Sequence, residues 1–353
     1  MKKTTKIKVG ILFGGKSAEH EVSLQSAKNV VDAIDKEKYE PVLIGIDKKG
    51  KWLLGDKFNA SSESIALIPQ SSGKISSLTN MEFDASVDVV FPILHGPFGE
   101  DGTVQGLLKL AHIPFVGAGV LGSAVGMDKD VMKRLLRDAQ IPIAKFLAVK
   151  QSELPNFVEI THALGLPFFV KPANLGSSVG VSKVNDKKEF EIAAKEAFMY
   201  DTKILIEEFV EGREIECAVL GNSEPIASVP GEVIPKREFY SYEAKYIDEQ
   251  GAAVEIPAKL SEDITKKIQS LAVKTFQTLS CEGLGRVDFF LKKSGEILVN
   301  EINTIPGFTA ISMYPKMWEA SGISYTELID RLIQLALERF EKEQKLKTTY
   351  ETK

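Results

Sequence analysis

Apolar runs of strand length alternate with amphipathic helical stretches along this chain. Three runs near the N-terminus have the length and composition of buried strands: Ile7–Phe13, Val42–Ile46 and Val87–Leu94. Between the first two, five apolar residues recur at the spacing of one helix face: Val22, Ala27, Val30, Val31 and Ile34. A Gly14-Gly15 turn, with Ser17 as the helix cap, would join strand to helix. This alternation predicts an α/β fold.

Three units are expected along the chain, with boundaries near residues 125 and 212. The first, residues 1–125, contains the strands above, a polar excursion over 55–80 and a helix from about Thr103. The second, 126–212, opens on the helix of MDKDVMKRLLRDAQIP and holds a further helix over 186–199 and the strand ILIEEFV. The third, 213–353, contains a long polar loop over 235–251 and a helix over about 325–345.

Composition narrows the classes of function. The chain has 44 Lys plus Arg against 49 Asp plus Glu, scattered rather than clustered, which argues against a nucleic-acid partner. Cys217 and Cys281 lie far apart without a CxxC motif, so neither a disulfide framework nor a zinc site is expected. The basic N-terminus lacks a secretory apolar segment, and no window is apolar enough to span a membrane. We therefore expect a cytoplasmic protein.

The stretch GILFGGKS, Gly10 to Ser17, matches the P-loop pattern of nucleotide-binding proteins. A P-loop needs its four middle residues in a phosphate-cradling loop, but Ile11, Leu12 and Phe13 belong inside a strand. What remains is a helix N-terminus that favours an anion, with Glu19 in the first turn. Glu19 either complements the helix dipole or is available to the ammonium group of a ligand.

The stretch FVKPANLGSSVG, Phe169 to Gly180, is a strand ending in a lysine, a Gly/Ser-rich turn and a returning strand. Lys171 could simply mark a hairpin tip. The alternative is a lid: backbone N–H groups without bulky side chains can close over phosphate. Lys171 would then contact phosphate while Ser177–Val179 cover it, and the backbone of Glu208 and Val210 would read a base.

The segment GRVDFFLKKSGEILVNEIN, Gly285 to Asn303, predicts a hairpin about a Ser294-Gly295 turn. A symmetric hairpin places Asp288 opposite Glu301 and Arg286 opposite Asn303. Carboxylates opposed on one sheet face repel each other, and a hard divalent cation such as Mg²⁺ removes that conflict. Chance placement on a solvated face is the alternative, but the apolar flanks favour a buried sheet and a metal site.

With these residues together, the sequence resembles the ATP-grasp superfamily, and within it the D-alanine–D-alanine ligases. The resemblance covers nearly the whole chain, through eight stretches in order: GGKSAEHEVS, LHGPFGEDGTVQG, MDKD, KPANLGSSVGVSKV, LIEEFVEGREIE, YEAKY, GRVDFF and NEINTIPGFTAISMYP. It implies a three-domain ATP-grasp architecture with an N-terminal doubly wound α/β domain. It also implies a homodimer that uses ATP and two Mg²⁺ ions, which Mn²⁺ could replace.

The resemblance implies a reaction for peptidoglycan precursor synthesis: ATP phosphorylates one D-alanine carboxylate, and the amine of a second D-alanine attacks the acyl phosphate. For the substrates it implies Glu19 on the first ammonium group, His95 near the first carboxylate, Arg286 on developing charge, and Gly307, Ser312 and Met313 at the second carboxylate. For ATP it implies Lys129, Lys171, Ser178, Glu207, Glu208, Val210, Glu214 and Lys245. For metal it implies Asp288, Glu301 and Asn303. Glu19, Ser177 and Tyr246 would form a latch between domains.

Other functions stay open at this point. Another ATP-grasp carboxylate–amine ligase would keep Lys171 and the metal set without needing Glu19 and Tyr246. A P-loop kinase or NTPase would use Lys16, and a non-catalytic nucleotide-binding regulator would usually lack a phosphate or metal ligand. A dinucleotide oxidoreductase is weaker, because no GxGxxG follows the first strand. Tyr246 within EAKY favours an amine as second substrate, unless it is only an exposed loop aromatic.

Overall fold

The computed structural model describes residues 6–55, 63–67, 74–77, 84–235 and 252–347, which form three β-sheets and the helices around them. The first sheet has the order β6-β5-β4-β3-β2-β1-β7, with β1 parallel to both β2 and β7. Its strands are β1 Ile7–Gly14, β2 Tyr39–Ile46, β3 Trp52–Leu54, β4 Glu63–Leu67, β5 Lys74–Ser77, β6 Asp84–Ser86 and β7 Val89–Ile93. Because β1 and β7 are parallel and adjacent, the loops that follow them leave the same edge of the sheet.

Four helices accompany or follow this sheet: α1 His20–Ala33, α2 Thr103–Leu110, α3 Val120–Met127 and α4 Lys129–Asp138. The sequence prediction for the start of α1 was wrong. The helix begins at His20 with Glu19 at its N-cap, and the Ser17 Oγ instead accepts the Glu19 N–H within the preceding turn, at 3.2 Å. Ser23 fixes this first turn, because its Oγ accepts the Gly14 N–H and donates to the Ile93 carbonyl.

The polar excursion predicted over residues 55–80 is also corrected. β4 and β5 lie within it, pair antiparallel with each other and extend the sheet beyond β3. Ile65 is buried, so this stretch supplies an apolar side chain to the interior of the first sheet.

The second sheet is antiparallel, with the order β10-β9-β11-β8. Its strands are β8 Phe146–Lys150, β9 Phe168–Pro172, β10 Ser182–Val184 and β11 Lys203–Glu208, and its helices are α5 Phe157–Leu164 and α6 Lys187–Ala197. Rings of Phe157, Phe168 and Phe190 meet between the sheet and these helices. The predicted strand–turn–strand around Lys171 is confirmed, because β9 and β10 pair antiparallel on either side of the Gly/Ser loop.

The third sheet is also antiparallel, with the order β15-β14-β12-β16-β17 and β13 paired to β12. Its strands are β12 Arg213–Gly221, β13 Ile226–Ala227, β14 Gly231–Pro235, β15 Ala252–Glu255, β16 Gly283–Leu291 and β17 Ile297–Asn303. Helices α7 Glu262–Thr278, α8 Met313–Ala320 and α9 Tyr325–Gln344 complete the described chain. Cys217, Val287 and Phe289 belong to the core on one face of this sheet, while alternate residues carry charge on the other.

Each sheet lies within one of the three predicted units, but two hydrophobic cores contain residues from more than one unit. Ile11 and Phe91 share one core with Trp318, and Met132 of α4 packs in the core of the third sheet. The boundary expected near residue 125 falls inside α3. The division into 1–125, 126–212 and 213–353 therefore stays a proposal.

Cys217 and Cys281 form no disulfide, as the sequence predicted. Both thiols are buried, and burial raises the pKa of each to about 12. They are inert side chains of the core at neutral pH. Within the described ranges, no helix combines the length and apolar character needed to cross a membrane.

Candidate active site

Asp288 on β16 and Glu301 on β17 lie directly opposite each other, as the sequence predicted, and Arg286 lies opposite Asn303. The reason differs from the expected simple symmetry. Nearer the turn, Leu291 pairs with Ile297 and Phe289 with Val299, and the register then shifts between Asp288 and Phe289. Asn300 is the extra residue of this β-bulge, and it restores the predicted pairing at the carboxylates.

Arg286 is held between acidic side chains. Its Nε and Nη2 donate to the two oxygens of Asp288, each at 2.7 Å, and its Nε lies 3.0 Å from Glu216 Oε2. Glu216 projects from β12, where it pairs directly with Asp288 across the strands. Burial favours loss of the proton, but Asp288 and Glu216 outweigh it and raise the pKa of Arg286 well above its usual value. The guanidinium is therefore a fixed, permanent cation at this face.

Asn303 and Lys129 complete the surroundings of the opposed carboxylates. Asn303 Nδ2 donates to Asp288 Oδ2 at 2.9 Å, and Lys129 Nζ lies 3.3 Å from Glu301 Oε2. Among the described residues, no three His, Cys, Asp or Glu side chains gather as a metal site. The predicted set contains two carboxylates and one amide, and all three are hard oxygen donors on one sheet face.

Lys129 also binds the Gly/Ser loop between β9 and β10. Its Nζ donates to the Leu175 carbonyl at 2.8 Å, and its backbone N–H donates to Ala173 at 3.0 Å. Within the loop, Ser177 and Ser178 have left-handed backbones, with φ of 55° and 58°. Such φ values are uncommon for residues other than glycine and cluster at functional sites. One lysine thus joins the proposed lid to the proposed metal site.

Lys171 lies at the end of β9, only 7% exposed, with its Nζ 2.5 Å from Glu207 Oε2. The other oxygen of Glu207 forms an ion pair with Lys133 of α4. Burial raises the pKa of Glu207, but the two lysines outweigh it and hold that pKa below its ordinary value. Both Glu207 oxygens are thus engaged with cations, and its backbone lies in the sheet, where Glu207 pairs with Phe169 of β9 and Phe146 of β8.

Glu19 and Ser177 are brought together, as predicted for the latch, although 158 residues separate them in sequence. The Ser177 hydroxyl donates to Glu19 Oε1, so the loop after β1 meets the Gly/Ser loop of the second sheet. A Cβ on Gly96 would lie 3.3 Å from Glu19 Oε2, which shows how closely the loop after β7 approaches. The third latch residue, Tyr246, and the predicted phosphate ligand Lys245 lie outside the described residues, so both stay predictions.

His95 is 5% exposed, and its Nδ1 is 3.0 Å from the Ile305 carbonyl. Its Nε2 is buried and has no hydrogen-bond partner among the described residues. Burial lowers the pKa of His95, against the opposing effect of nearby Glu19. A neutral imidazole with Nδ1 as the donor presents an acceptor at Nε2, and protonation would make that atom a donor.

Glu100 is a site residue that the sequence analysis missed. Its Oε2 accepts the Gly96 N–H at 2.7 Å and its Oε1 accepts the Ile305 N–H at 3.2 Å, so it joins loops of the first and third sheets. Burial, with a further contribution from Glu19, raises its pKa to about 8. Its place in HGPFGEDG was visible, but the Ile305 contact, 205 residues away, was not.

The predicted second-substrate residues lie at the start of α8. Ser312 is the N-cap, and its Oγ accepts the Thr309 N–H at 3.0 Å and lies 2.8 Å from Thr309 Oγ1. A Cβ on Gly307 would lie 2.7 Å from Ser312 Oγ, so a side chain at this position would have to displace the Ser312 hydroxyl. Met313 is the first helical residue and is buried. A helix N-terminus of this kind suits a carboxylate.

The predicted base-reading edge lies where the chain passes from the second sheet to the third. The Glu208 backbone N–H and carboxylate are both bonded to the Lys145 backbone, at 3.0 and 2.8 Å. Val210 lies between β11 and β12, and Glu214 faces the same side of the third sheet as Glu216 and Asp288. The Phe209 ring is stacked below Lys183, whose Nζ is 5.0 Å from the ring centroid.

The site thus joins three sheets around four positively charged side chains, two opposed carboxylates and a Gly/Ser loop, which is the arrangement of an ATP-grasp enzyme. Family models agree in detail. The model described as D-ala D-ala ligase N-terminus matches residues 8–118, and that described as D-ala D-ala ligase C-terminus matches residues 135–334. The chain belongs to the D-alanine–D-alanine ligase family.

Individual relatives support this assignment over nearly the full length. A D-alanine–D-alanine ligase of Oceanobacillus iheyensis is 55% identical over 362 aligned residues, covering 98% of this chain and 99% of that protein. The solved D-alanine-D-alanine ligase of Coxiella burnetii is 42% identical, with a TM-score of 0.88 and 97% of each chain covered. The VanG D-Ala:D-Ser ligase of Enterococcus faecalis is 36% identical, with a TM-score of 0.84, covering 94% of this chain and 100% of that one.

Proposed function

We propose that this protein ligates two D-alanines to D-alanyl-D-alanine with ATP, through a D-alanyl phosphate, and releases ADP and phosphate. The observation that carries the proposal is the position of Lys129, which contacts Glu301 of the predicted metal pair and the Leu175 carbonyl of the Gly/Ser loop. A cation at this junction suits a γ-phosphate that is covered by the loop and directed toward the site face of the third sheet.

The first D-alanine would bind between Glu19 and His95. The Glu19 carboxylate suits an ammonium group, and its charge opposes the lowering of the His95 pKa by burial. The buried His95 Nε2 has no hydrogen-bond partner among the described residues. Protonated at Nε2, His95 would donate to the substrate carboxylate. Glu100 fixes both loops through backbone N–H groups, so the distance between ammonium and carboxylate sites would be set by the fold.

Asp288, Glu301 and Asn303 would hold Mg²⁺, which when bound neutralises charge on the phosphates. Their fit rests on donor chemistry: three oxygen-bearing side chains share one sheet face, and the carboxylates are directly opposed. Asp288 and Glu301 meanwhile contact Arg286 and Lys129, so positive charge compensates them already. We propose two Mg²⁺ ions, with Mn²⁺ as a substitute.

Arg286 would stabilise the negative charge that develops on the acyl phosphate and on the tetrahedral oxygen. Its fixed geometry and permanent charge suit this role, because electrostatic stabilisation is strongest when donors are already in place. The second D-alanine would place its carboxylate at Ser312, Met313 and Gly307, at the N-terminus of α8. Its amine would then attack the activated carbonyl of the first.

Lys171, Lys129 and Lys245 would hold the phosphates, while Ser178 lies in the covering loop. The adenosine would bind where the chain passes from the second sheet to the third, at Glu207, Glu208, Val210 and Glu214. The Glu19–Ser177 bond, with Tyr246 as its expected third member, would hold the lid closed and keep water from the acyl phosphate. Tyr246 in EAKY also favours an amine rather than a hydroxy acid as second substrate.

Phosphate release from ATP and Mg²⁺ tests the proposal, with D-alanine, D-serine, D-lactate, L-alanine or no acceptor, and with product identification by mass spectrometry. Release that requires D-alanine and yields the dipeptide supports the proposal. If D-alanine and D-serine compete and a mixed product forms, the second site accepts D-serine, which is the D-Ala:D-Ser activity named for the Enterococcus faecalis relative. Release without any amino acid would contradict ligation.

We also propose a homodimer in the cytoplasm, without nucleic-acid or membrane partners. The family resemblance suggests the dimer, and two buried, reduced cysteines together with an ATP-dependent reaction fit the cytoplasm. Light scattering during size-exclusion chromatography measures the mass of the protein in solution. The mass of a monomer at working concentration would contradict the dimer.

A further inference from the structure

Lys133 of α4 has a side chain with no solvent exposure, and it forms an ion pair with Glu207 Oε1. Glu207 Oε2 lies 2.5 Å from Lys171, so a single carboxylate lies between two ammonium groups. The Lys133 Nζ also lies 5.9 Å from the centre of the Phe146 ring. We refer to Lys133, Glu207 and Lys171 as the buried charge cluster. Nothing in the proposed reaction so far uses Lys133.

A purely structural role for Lys133 would carry a large free-energy cost. A buried ammonium group loses its hydration, and an apolar side chain of similar size is often the more stable choice at such a position. Two neighbouring residues of α4, Met132 and Leu136, are fully buried and apolar, so the helix already has a packing face. Burial also lowers the pKa of Lys133, against the opposing attraction of Glu207.

The charges of the buried charge cluster indicate what Lys133 does. With both lysines protonated and Glu207 ionised, the cluster carries one net positive charge. Without Lys133, Glu207 would pair with Lys171 alone, and the pair would be neutral. An ion pair in a weakly polar environment holds its partners firmly, so Lys171 would be both neutralised and drawn toward Glu207.

We propose that Lys133 is a positioning residue that shares the Glu207 charge and thereby leaves the charge of Lys171 available to a nucleotide phosphate. Lys133 does not itself touch the ligand, because its side chain is fully covered. Lys129 lies four residues earlier, on the same face of α4, and reaches Glu301 and the Gly/Ser loop directly. Helix α4 thus directs Lys129 toward the proposed phosphate site and Lys133 toward Glu207, the carboxylate that restrains Lys171. The inference rests on the proposed ATP-binding role of Lys171.

Calorimetric titration with ATP and with adenosine tests this inference, because adenosine carries no phosphate. Lys133→Met is expected to weaken ATP binding by about tenfold, the coupling expected for charges in direct contact, and to leave adenosine binding within about twofold. In steady-state assays KM for ATP should rise more than kcat falls. Lys133→Met combined with Glu207→Gln restores one net charge, so it should recover most of the lost ATP affinity.

Glu207→Gln alone gives a second, independent test if Lys133→Met does not fold. This change removes the carboxylate that restrains Lys171, so the ratio of ATP to adenosine affinity should increase. The inference is overturned if that ratio falls, if Lys133→Met binds ATP like the wild type, or if it loses ATP and adenosine equally. A double variant no better than Lys133→Met would also overturn it. Wild-type protein that does not bind ATP more tightly than adenosine would instead refute the proposed function.

Discussion

Asp288 and Glu301 face each other across two antiparallel strands, at the point where the Asn300 bulge shifts the register of the hairpin. Each is compensated by a cation: Arg286, two residues away on the same strand, pairs with Asp288, and Lys129 of α4 pairs with Glu301. The two carboxylates are therefore neutralised by cations that themselves belong to the proposed site. Substitution of one carboxylate also leaves the cation that contacts it without its partner.

Asp288→Asn and Glu301→Gln should each lower turnover by about 100-fold or more, the loss typical when one electrostatic group at a reacting centre is removed. The fold should persist, because both side chains lie on the polar face of the sheet rather than in its core. Phosphate release across a range of Mg²⁺ concentrations measures the effect. Glu296→Gln in the same hairpin, where Glu296 pairs with Lys292, is the matched control. Near-normal turnover of both site variants would remove the metal assignment.

Lys171→Ala should abolish use of ATP, whereas Lys16→Ala should leave it nearly unchanged. Ile11, Leu12 and Phe13 are buried in β1, so the P-loop pattern does not form a loop, and Lys16 is exposed with its Nζ 5.7 Å from the centre of the Phe98 ring. Nucleotide affinity by calorimetry separates the two variants. A loss confined to Lys16→Ala would support a P-loop enzyme instead.

Glu100→Gln should change how stability depends on pH. The pKa of Glu100 is about 8 in the folded protein, against an ordinary value of 4.5, because of burial and then Glu19. Between these pH values the folded protein keeps a proton that the unfolded chain releases, so this residue lowers stability progressively as pH rises. The glutamine variant has no such proton. Its stability relative to wild type should therefore increase from about pH 5 to about pH 8.

Denaturant unfolding at those two pH values measures the difference, with Glu262→Gln on the exposed start of α7 as the control. The charge of Lys129 acts to lower the pKa of Glu100, so the comparison requires Lys129 to carry the same charge in both proteins. An equal stability difference at the two pH values would show that Glu100 ionises normally.

Gly14→Ala should destabilise the protein by about 2 kcal/mol or more, from left-handed backbone strain and a steric clash. Gly14 has a φ of 92°, and an added Cβ would lie 2.2 Å from the Ile46 carbonyl oxygen, which its strand holds in place. Gly106→Ala is the opposite case: Gly106 lies in α2, and no atom of the described residues is within 4 Å of an added Cβ. It should stabilise by about 0.5–1 kcal/mol. The shift of the unfolding midpoint distinguishes them, and equal shifts would contradict the explanation.

Several parts of the site were predictable because they depend on short stretches of chain. The β9 strand, Lys171 and the Gly/Ser loop follow from local composition, and the rejection of the P-loop follows from three β-forming residues in a row. The opposition of Asp288 and Glu301 follows from a turn six or seven residues away. Even there the reason was incomplete, because symmetry about the turn does not anticipate a bulge.

Other parts depend on where distant segments meet. The start of α1 is set by Ser23, which bonds to Gly14 and to Ile93 of a strand 70 residues further along, so a cap assigned from nearby residues fell on Ser17. Glu100 and Lys133 looked like an ordinary loop acid and an ordinary helical lysine. Their roles appear only once Ile305 and Glu207 are placed beside them.

The sequence by itself determined the α/β class, the strands and loops that carry the phosphate and metal ligands, and the family, because each depends on local pattern or on motifs in order. The tertiary structure alone decided which charges compensate one another. Charge compensation acts through space, and burial sets its strength. The partners of Lys133, Glu100 and Lys129 are fixed by how the three sheets pack, whereas Arg286 meets Glu216 through the pairing of β12 with β16 within one sheet.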